Sequence, residues 1–127
     1  MGEGAAGGVK TDNPIVEKSK AFAVATVRAC QRLRSEKGEY VLSKQLIRCG
    51  TSIGANVHEA IRAQSRPDFL AKMAIALKES QETEYWLDLL HETDYLATPD
   101  FAALQAMNAE LLRLLTAICK TTSSRPR

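Results

Sequence analysis

Residues 43–60 read SKQLIRCGTSIGANVHEA, and this stretch decides the fold. With Leu42 just before it, Leu46, Cys49, Ile53, Val57 and Ala60 recur at threes and fours, the spacing that aligns one face of an α-helix. Inside that helix Gly50 and Gly54 stand four positions apart. Each interior glycine costs a helix about 1 kcal/mol relative to alanine, so a contact outside the helix has to compensate. Glycines at this spacing leave one side bare, and another backbone can approach closely there.

The same period continues on both sides of this helix, punctuated by capping signals. Asn13 and Pro14 supply a cap and a first-turn proline for a first helix that runs to about Lys37 and stops at Gly38. The second helix covers about 40–64. Ser65, Pro67 and Asp68 open a third that runs to about Asp94, and Thr98, Pro99 and Asp100 open a fourth that ends near Thr122. Phe69, Met73, Ala76, Ser80, Thr83, Leu87 and Leu90 hold one face of the third; Leu104, Leu111, Leu115 and Ile118 hold one face of the fourth. Short joints between long amphipathic helices favour antiparallel neighbours. The expected architecture is therefore all-α, an antiparallel up-and-down four-helix bundle over 14–122, with a flexible arm at 1–13 and a flexible tail at 123–127.

Composition agrees with one ordinary domain. The 127 residues are 45% hydrophobic and 25% charged, and no apolar run approaches the roughly 20 residues that span a bilayer. The start MGEGAAGGVKTDN lacks the apolar centre of a secretory signal, which places the chain in the cytoplasm with no membrane partner. Cys30, Cys49 and Cys119 form no CxxC or zinc-ligand spacing and read as small buried hydrophobes. Net charge is +2, unevenly spread: residues 1–65 carry ten Lys or Arg against six Asp or Glu, and residues 66–127 carry seven against nine. Such asymmetry fits either a basic face for an anionic partner or attraction between the two halves.

Two helix faces exceed what a single bundle uses. The first helix has Phe22, Ala29 and Leu33 on one side and Val16, Ala23, Val27 and Cys30 about 100° further round. On the second helix Gly50 and Gly54 cluster with Ser43, Ile47 and Ile61, again about 100° from the main stripe. This close-contact side meets either another helix of the same chain or another subunit, and exposed apolar surface of this kind marks interfaces.

Beside the core stripe of the second helix runs a polar line of Gln45, Arg48, Ser52, Asn56 and Glu59, and the third helix answers with Lys72, Glu79, Glu82 and Trp86. Antiparallel pairing about a turn at 64–66 sets Arg48 opposite Glu82, Ser52 opposite Glu79 and Glu59 opposite Lys72. Such a seam fixes register more than it stabilises. A di-iron bundle needs Glu-x-x-His elements, which are absent, and His58 and His91 each precede a glutamate that points about 100° away. No phosphate-binding glycine loop, nucleophile elbow or HExxH element occurs. No enzymatic activity, metal or cofactor is expected. Lys20, Arg28 and Arg32 on the polar half of the first helix, with Lys44 and Arg62 on an outer side of the second, are candidate phosphate contacts, or else a solvated charged face.

The segments EYVLSKQLIRCGTSIGANVHEA and FLAKMAIALKESQETEYWLDLL resemble the bacterial four-helix bundle proteins encoded within intervening sequences of 23S ribosomal RNA genes. The resemblance covers about 15–121 and rests on Gln45, Arg48, Ser52, Ile53, Asn56, Glu59, Lys72, Glu79, Glu82 and Trp86 in order; His58 stands where a small residue is more usual. It implies an antiparallel bundle assembled as a homopentamer, with no known reaction. A distant similarity to the accessory protein of diversity-generating retroelements, a pentameric basic barrel that binds nucleic acid and a reverse transcriptase, implies RNA or DNA as a partner. The alternative is a homo-oligomeric scaffold that recruits a protein partner without touching nucleic acid.

Overall fold

The computed structural model describes residues 13–124, so the expected arm lies outside the described residues except for Asn13. Four helices follow one another: α1 (Pro14–Lys37), α2 (Val41–Ile61), α3 (Arg66–Glu92) and α4 (Thr98–Ser124). Among the described residues there is no strand. Each helix packs on the next and α4 returns to α1, whereas the backbones of the diagonal pairs, α1 with α3 and α2 with α4, stay further apart. This is the four-helix bundle that the apolar spacing implies. Its centre holds Phe22, Leu46, Ile53, Met73, Leu87, Leu90, Leu111 and Leu115, all shielded from solvent. Burying each such side chain contributes about 1.5–3 kcal/mol, the dominant favourable term.

Helix ends differ from the sequence expectation in ways the backbone explains. Asn13 is extended but its side chain caps nothing, and α1 begins instead with the Glu17 amide donating to the Asn13 carbonyl at 3.2 Å. Ser65 does cap α3, its Oγ accepting from the Asp68 amide at 3.1 Å. The second helix stops at Ile61 rather than near Gln64, because the Arg62 and Ala63 amides turn back to the Glu59 and Ala60 carbonyls in a tighter final turn. Helix α4 continues through Ser123 and Ser124, beyond the expected end. The two connections at one end of the bundle each use a left-handed residue, Gly38 at φ 64° and Asp94 at φ 68°.

Gly50 and Gly54 face α1 of the same chain. A Cβ at position 50 would lie 2.8 Å from Cγ2 and 3.0 Å from Oγ1 of Thr26, and one at 54 would lie 3.3 Å from the Ser19 carbonyl oxygen. Gly50 and Gly54 therefore contact α1 within the bundle, while Gly54 also borders an open groove between the two helices. Of the wide α1 arc, Cys30 is fully buried, while Val16, Ala23 and Val27 are half-buried along the outer edge.

Gly50→Ala should destabilise the protein by about 1–3 kcal/mol in urea unfolding, despite the better helix propensity of alanine, because the methyl overpacks against Thr26. In a Thr26→Ala background the same substitution should cost less than about 1 kcal/mol. An unchanged cost there would remove Thr26 as the steric partner.

Candidate functional site

Helix α2 touches α1 with its glycine side and α3 with its polar line, so both candidate surfaces are built on it. Along the α3 seam the Arg48 guanidinium bridges two carboxylates: Nη2 donates to Glu82 Oε2, and Nη1 lies 3.6 Å from Glu79 Oε1. The Trp86 indole donates to the same Glu82 oxygen at 2.9 Å. About three turns further along α2, Lys72 Nζ sits 2.9 Å from Glu59 Oε1, and this hydrogen bond together with the glutamate charge pushes the Lys72 ammonium pKa up. Arg48 thus faces Glu82 and Lys72 faces Glu59, the antiparallel register set by the turn at 64–66.

Ser52 makes no hydrogen bond to Glu79. Its Oγ accepts from Asn56 Nδ2 at 3.1 Å, and the same amide nitrogen donates to the Ser52 carbonyl at 2.9 Å. A partner one turn away on the same helix takes up its hydroxyl, and Arg48 lies beside Glu79. Gln45 is half-buried and makes no hydrogen bond among the described residues. The seam carboxylates are held by cations, and the described residues contain no group of three or more His, Cys, Asp or Glu arranged to hold a metal ion. What this arrangement can do chemically is fix register.

Two polar devices escaped the sequence reading. Asn108 lies on the apolar stripe of α4 between Leu104 and Leu111, fully buried, with Oδ1 accepting from Ser80 Oγ at 2.7 Å and Nδ2 donating to the Ser80 carbonyl at 3.0 Å. Its signal was present: a polar residue on the helix spacing of an apolar stripe, opposite a serine on the stripe of α3. Glu39 is the second. Its carboxylate accepts from the amides of Val41, Leu42 and Ser43 at 3.1, 2.9 and 2.7 Å, capping the first turn of α2 where the helix dipole favours a negative charge.

The five candidate phosphate contacts are all exposed, and none pairs with a carboxylate among the described residues. They do not form one patch. Lys20 and Arg28 flank a shallow groove on α1 floored by Ala23, Val24 and Val27, and Lys20 also borders the adjoining groove between α1 and α2 with Thr51, Ala55 and His58. Arg32 lines a different hollow, among Glu36, Asp94 and Asp100, which offset its charge. Lys44 and Arg62 share one side of α2, roughly 27 Å apart at the α-helical rise.

Thiol chemistry is suppressed. Cys30 is fully buried, its Sγ 3.4 Å from the Ser43 carbonyl it donates to, and burial pushes its pKa up from 9.0 to about 11 against the smaller lowering by Arg34. Burial also raises Cys49 and Cys119. A thiol whose folded pKa is raised stabilises the fold fully below its unfolded pKa and loses that contribution as pH rises through the folded value. Stability should therefore fall by about 2–3 kcal/mol between pH 9 and 11 from Cys30, with Cys49 adding in the same direction. Denaturant unfolding across this range should show a shallower fall in Cys30→Val, and an identical fall would assign the loss to other groups.

The geometry has close relatives. A family model described as 23S rRNA-intervening sequence protein matches residues 11–117. A crystal structure of a protein of unknown function from the S23 ribosomal protein family of Bacteroides thetaiotaomicron VPI-5482 superposes with a TM-score of 0.82 at 47% identity, covering 84% of this chain and 98% of the other. No curated protein matches. The four-helix fold and the length of the match agree: the chain belongs to the 23S rRNA-intervening sequence protein family.

Proposed function

We propose that this protein is a non-enzymatic homo-oligomer, a pentamer by its resemblance, that binds structured RNA in the cytoplasm through the basic side of α1 and α2. The observation that carries this reading is the contrast between two sets of cations. Lys18, Arg48 and Lys72 are held by Glu110, Glu79, Glu82 and Glu59, whereas Lys20, Arg28, Lys44 and Arg62 stand exposed without a carboxylate partner among the described residues. Exposed, unneutralised cations on the outer sides of two helices suit phosphate contacts, which need charge and reach but no base-reading geometry. The family description, tied to an intervening sequence of ribosomal RNA, supports RNA over other anions.

A second reading, a homo-oligomeric scaffold for a protein partner, draws on the tip between α1 and α2. There Tyr40 and Val41 are 61% and 72% exposed, the most exposed large apolar side chains described.

Light scattering should give about five times the 13.9 kDa chain mass. Affinity for a structured RNA should fall steeply with salt, and Lys20→Ala or Arg28→Ala should each reduce the log–log slope by about 1, with a smaller change for Arg32→Ala beside its acidic neighbours. No retention of RNA at 50 mM salt would overturn the nucleic-acid reading, and protein capture abolished by Tyr40→Ser with Val41→Ser would favour the scaffold.

A further inference from the structure

One side of α2 repeats a small pattern. Tyr40 and Lys44 lie four residues apart at its start, and His58 and Arg62 four apart at its end, each a ring followed by a cation. Tyr40 and Arg62 flank the helix as its two caps, and Lys44 and His58 lie within it. The two rings stand 18 positions apart, about five whole turns, so both pairs share one direction around the helix. All four side chains are exposed, and none makes a hydrogen bond, ion pair or ring contact among the described residues.

Between the pairs the same side of α2 shows Ile47, Thr51 and Ala55 and no acid. The Thr51 hydroxyl turns back to donate to the Ile47 carbonyl at 2.6 Å, which leaves a mostly apolar floor. The one acid of α2, Glu59, points about 100° away and is held by Lys72. Glu39, next to Tyr40, is buried, its carboxylate taken up by three amides of α2. Across the groove the α1 rim carries Lys20, and the two acids of α1, Glu17 and Glu36, do not line it.

We infer that this side of α2 receives an unpaired segment of RNA, its bases laid on the Tyr40 and His58 rings and its phosphates on Lys44, Arg62 and Lys20. This rests on the RNA reading above and names the form of RNA and the rings that hold it. A duplex hides its base faces and offers mainly phosphates, so free rings add little to its binding. A single strand presents both groups, and each stacked base adds to the charge contacts. The four-residue spacing sets each cation beside its ring, as a base is set beside its own phosphate. An acidic helix of a protein would meet the same cations, but its apolar anchors need a recess, and the outward side of a single helix is convex.

Fluorescence anisotropy on the full chain tests this with a labelled ten-nucleotide oligoadenylate, an abasic strand of equal length and a blunt RNA duplex. Tyr40→Ala should weaken oligoadenylate binding about 5- to 150-fold and leave the abasic strand and the duplex within about two-fold. Tyr40→Phe should keep wild-type affinity, since the ring and not the hydroxyl carries the contact. His58→Ala should weaken oligoadenylate selectively as well, and His58→Phe should restore it. Lys44→Ala should weaken oligoadenylate and the abasic strand alike, lowering the log–log salt slope by about 0.7 for each. Circular dichroism checks the fold, and Tyr40→Leu replaces Tyr40→Ala if the hairpin loosens. Oligoadenylate affinity unchanged in both ring-to-alanine variants, or an equal loss for the abasic strand, would overturn the proposal while the binding itself leaves the nucleic-acid reading standing. No binding of any of the three probes at 50 mM salt would overturn both and leave the tip to the scaffold.

Discussion

The close approach of α1 and α2 over Gly50 and Gly54 is the constraint on which the rest of the bundle depends. With only hydrogens at these positions, Thr26 and the Ser19 backbone sit where a Cβ would otherwise stand. That spacing brings the ends of the two helices into one hydrogen-bonded hairpin. Ser43 Oγ donates to the Glu39 carbonyl and lies within reach of Arg34 Nε, Cys30 reaches the Ser43 carbonyl, and the Glu39 carboxylate closes the first turn of α2. The helix-propensity cost of two interior glycines, about 1 kcal/mol each, is set against backbone packing that no larger residue permits.

The next two seams in chain order are registered by different physics. Between α2 and α3 the device is charge, in pairs that are half or more exposed on one side: Arg48 at 51% and Glu59 at 59%. Such pairs contribute only about 0–1 kcal/mol each, so their effect is to disfavour wrong alignments, in which like charges would meet. Between α3 and α4 the device is the buried Ser80 and Asn108 pair, where an unmatched amide would cost about 1–3 kcal/mol. A shifted register would leave that amide facing leucines. Apolar burial drives the collapse, and these smaller terms select one arrangement of it.

The legibility of this structure in its sequence follows the same division. Apolar spacing marked the four helices because a stripe recurring every three or four residues has few alternative readings, and the prolines after Asn13, Ser65 and Thr98 marked their starts. The charge seam was legible because antiparallel helices joined by a short turn leave one register, which puts Arg48 by Glu82 and Lys72 by Glu59. The glycine side was legible as a close contact, but spacing alone does not say which backbone approaches, and α1 lies about 100° round the wheel from α3. Glu39 was missed because it precedes the helix it caps, outside the usual small capping residues. Asn108 was missed because a stripe is read by its apolar members. The basic residues were found individually, yet their grouping depends on neighbours across helices, which is why Arg32 separates from Arg28 into a hollow with acids.

Charge links the proposed RNA binding to the proposed assembly. A single copy offers Lys20 and Arg28 at one groove and widely separated Lys44 and Arg62, too few phosphate contacts for firm binding to RNA when each neutralised phosphate contributes a modest, salt-sensitive increment. Repetition changes the arithmetic, because linked sites engage one polyanion at high effective concentration. Self-association would repeat Lys20, Arg28, Lys44 and Arg62 once per copy, so the proposed RNA affinity depends on assembly as much as on the cations themselves.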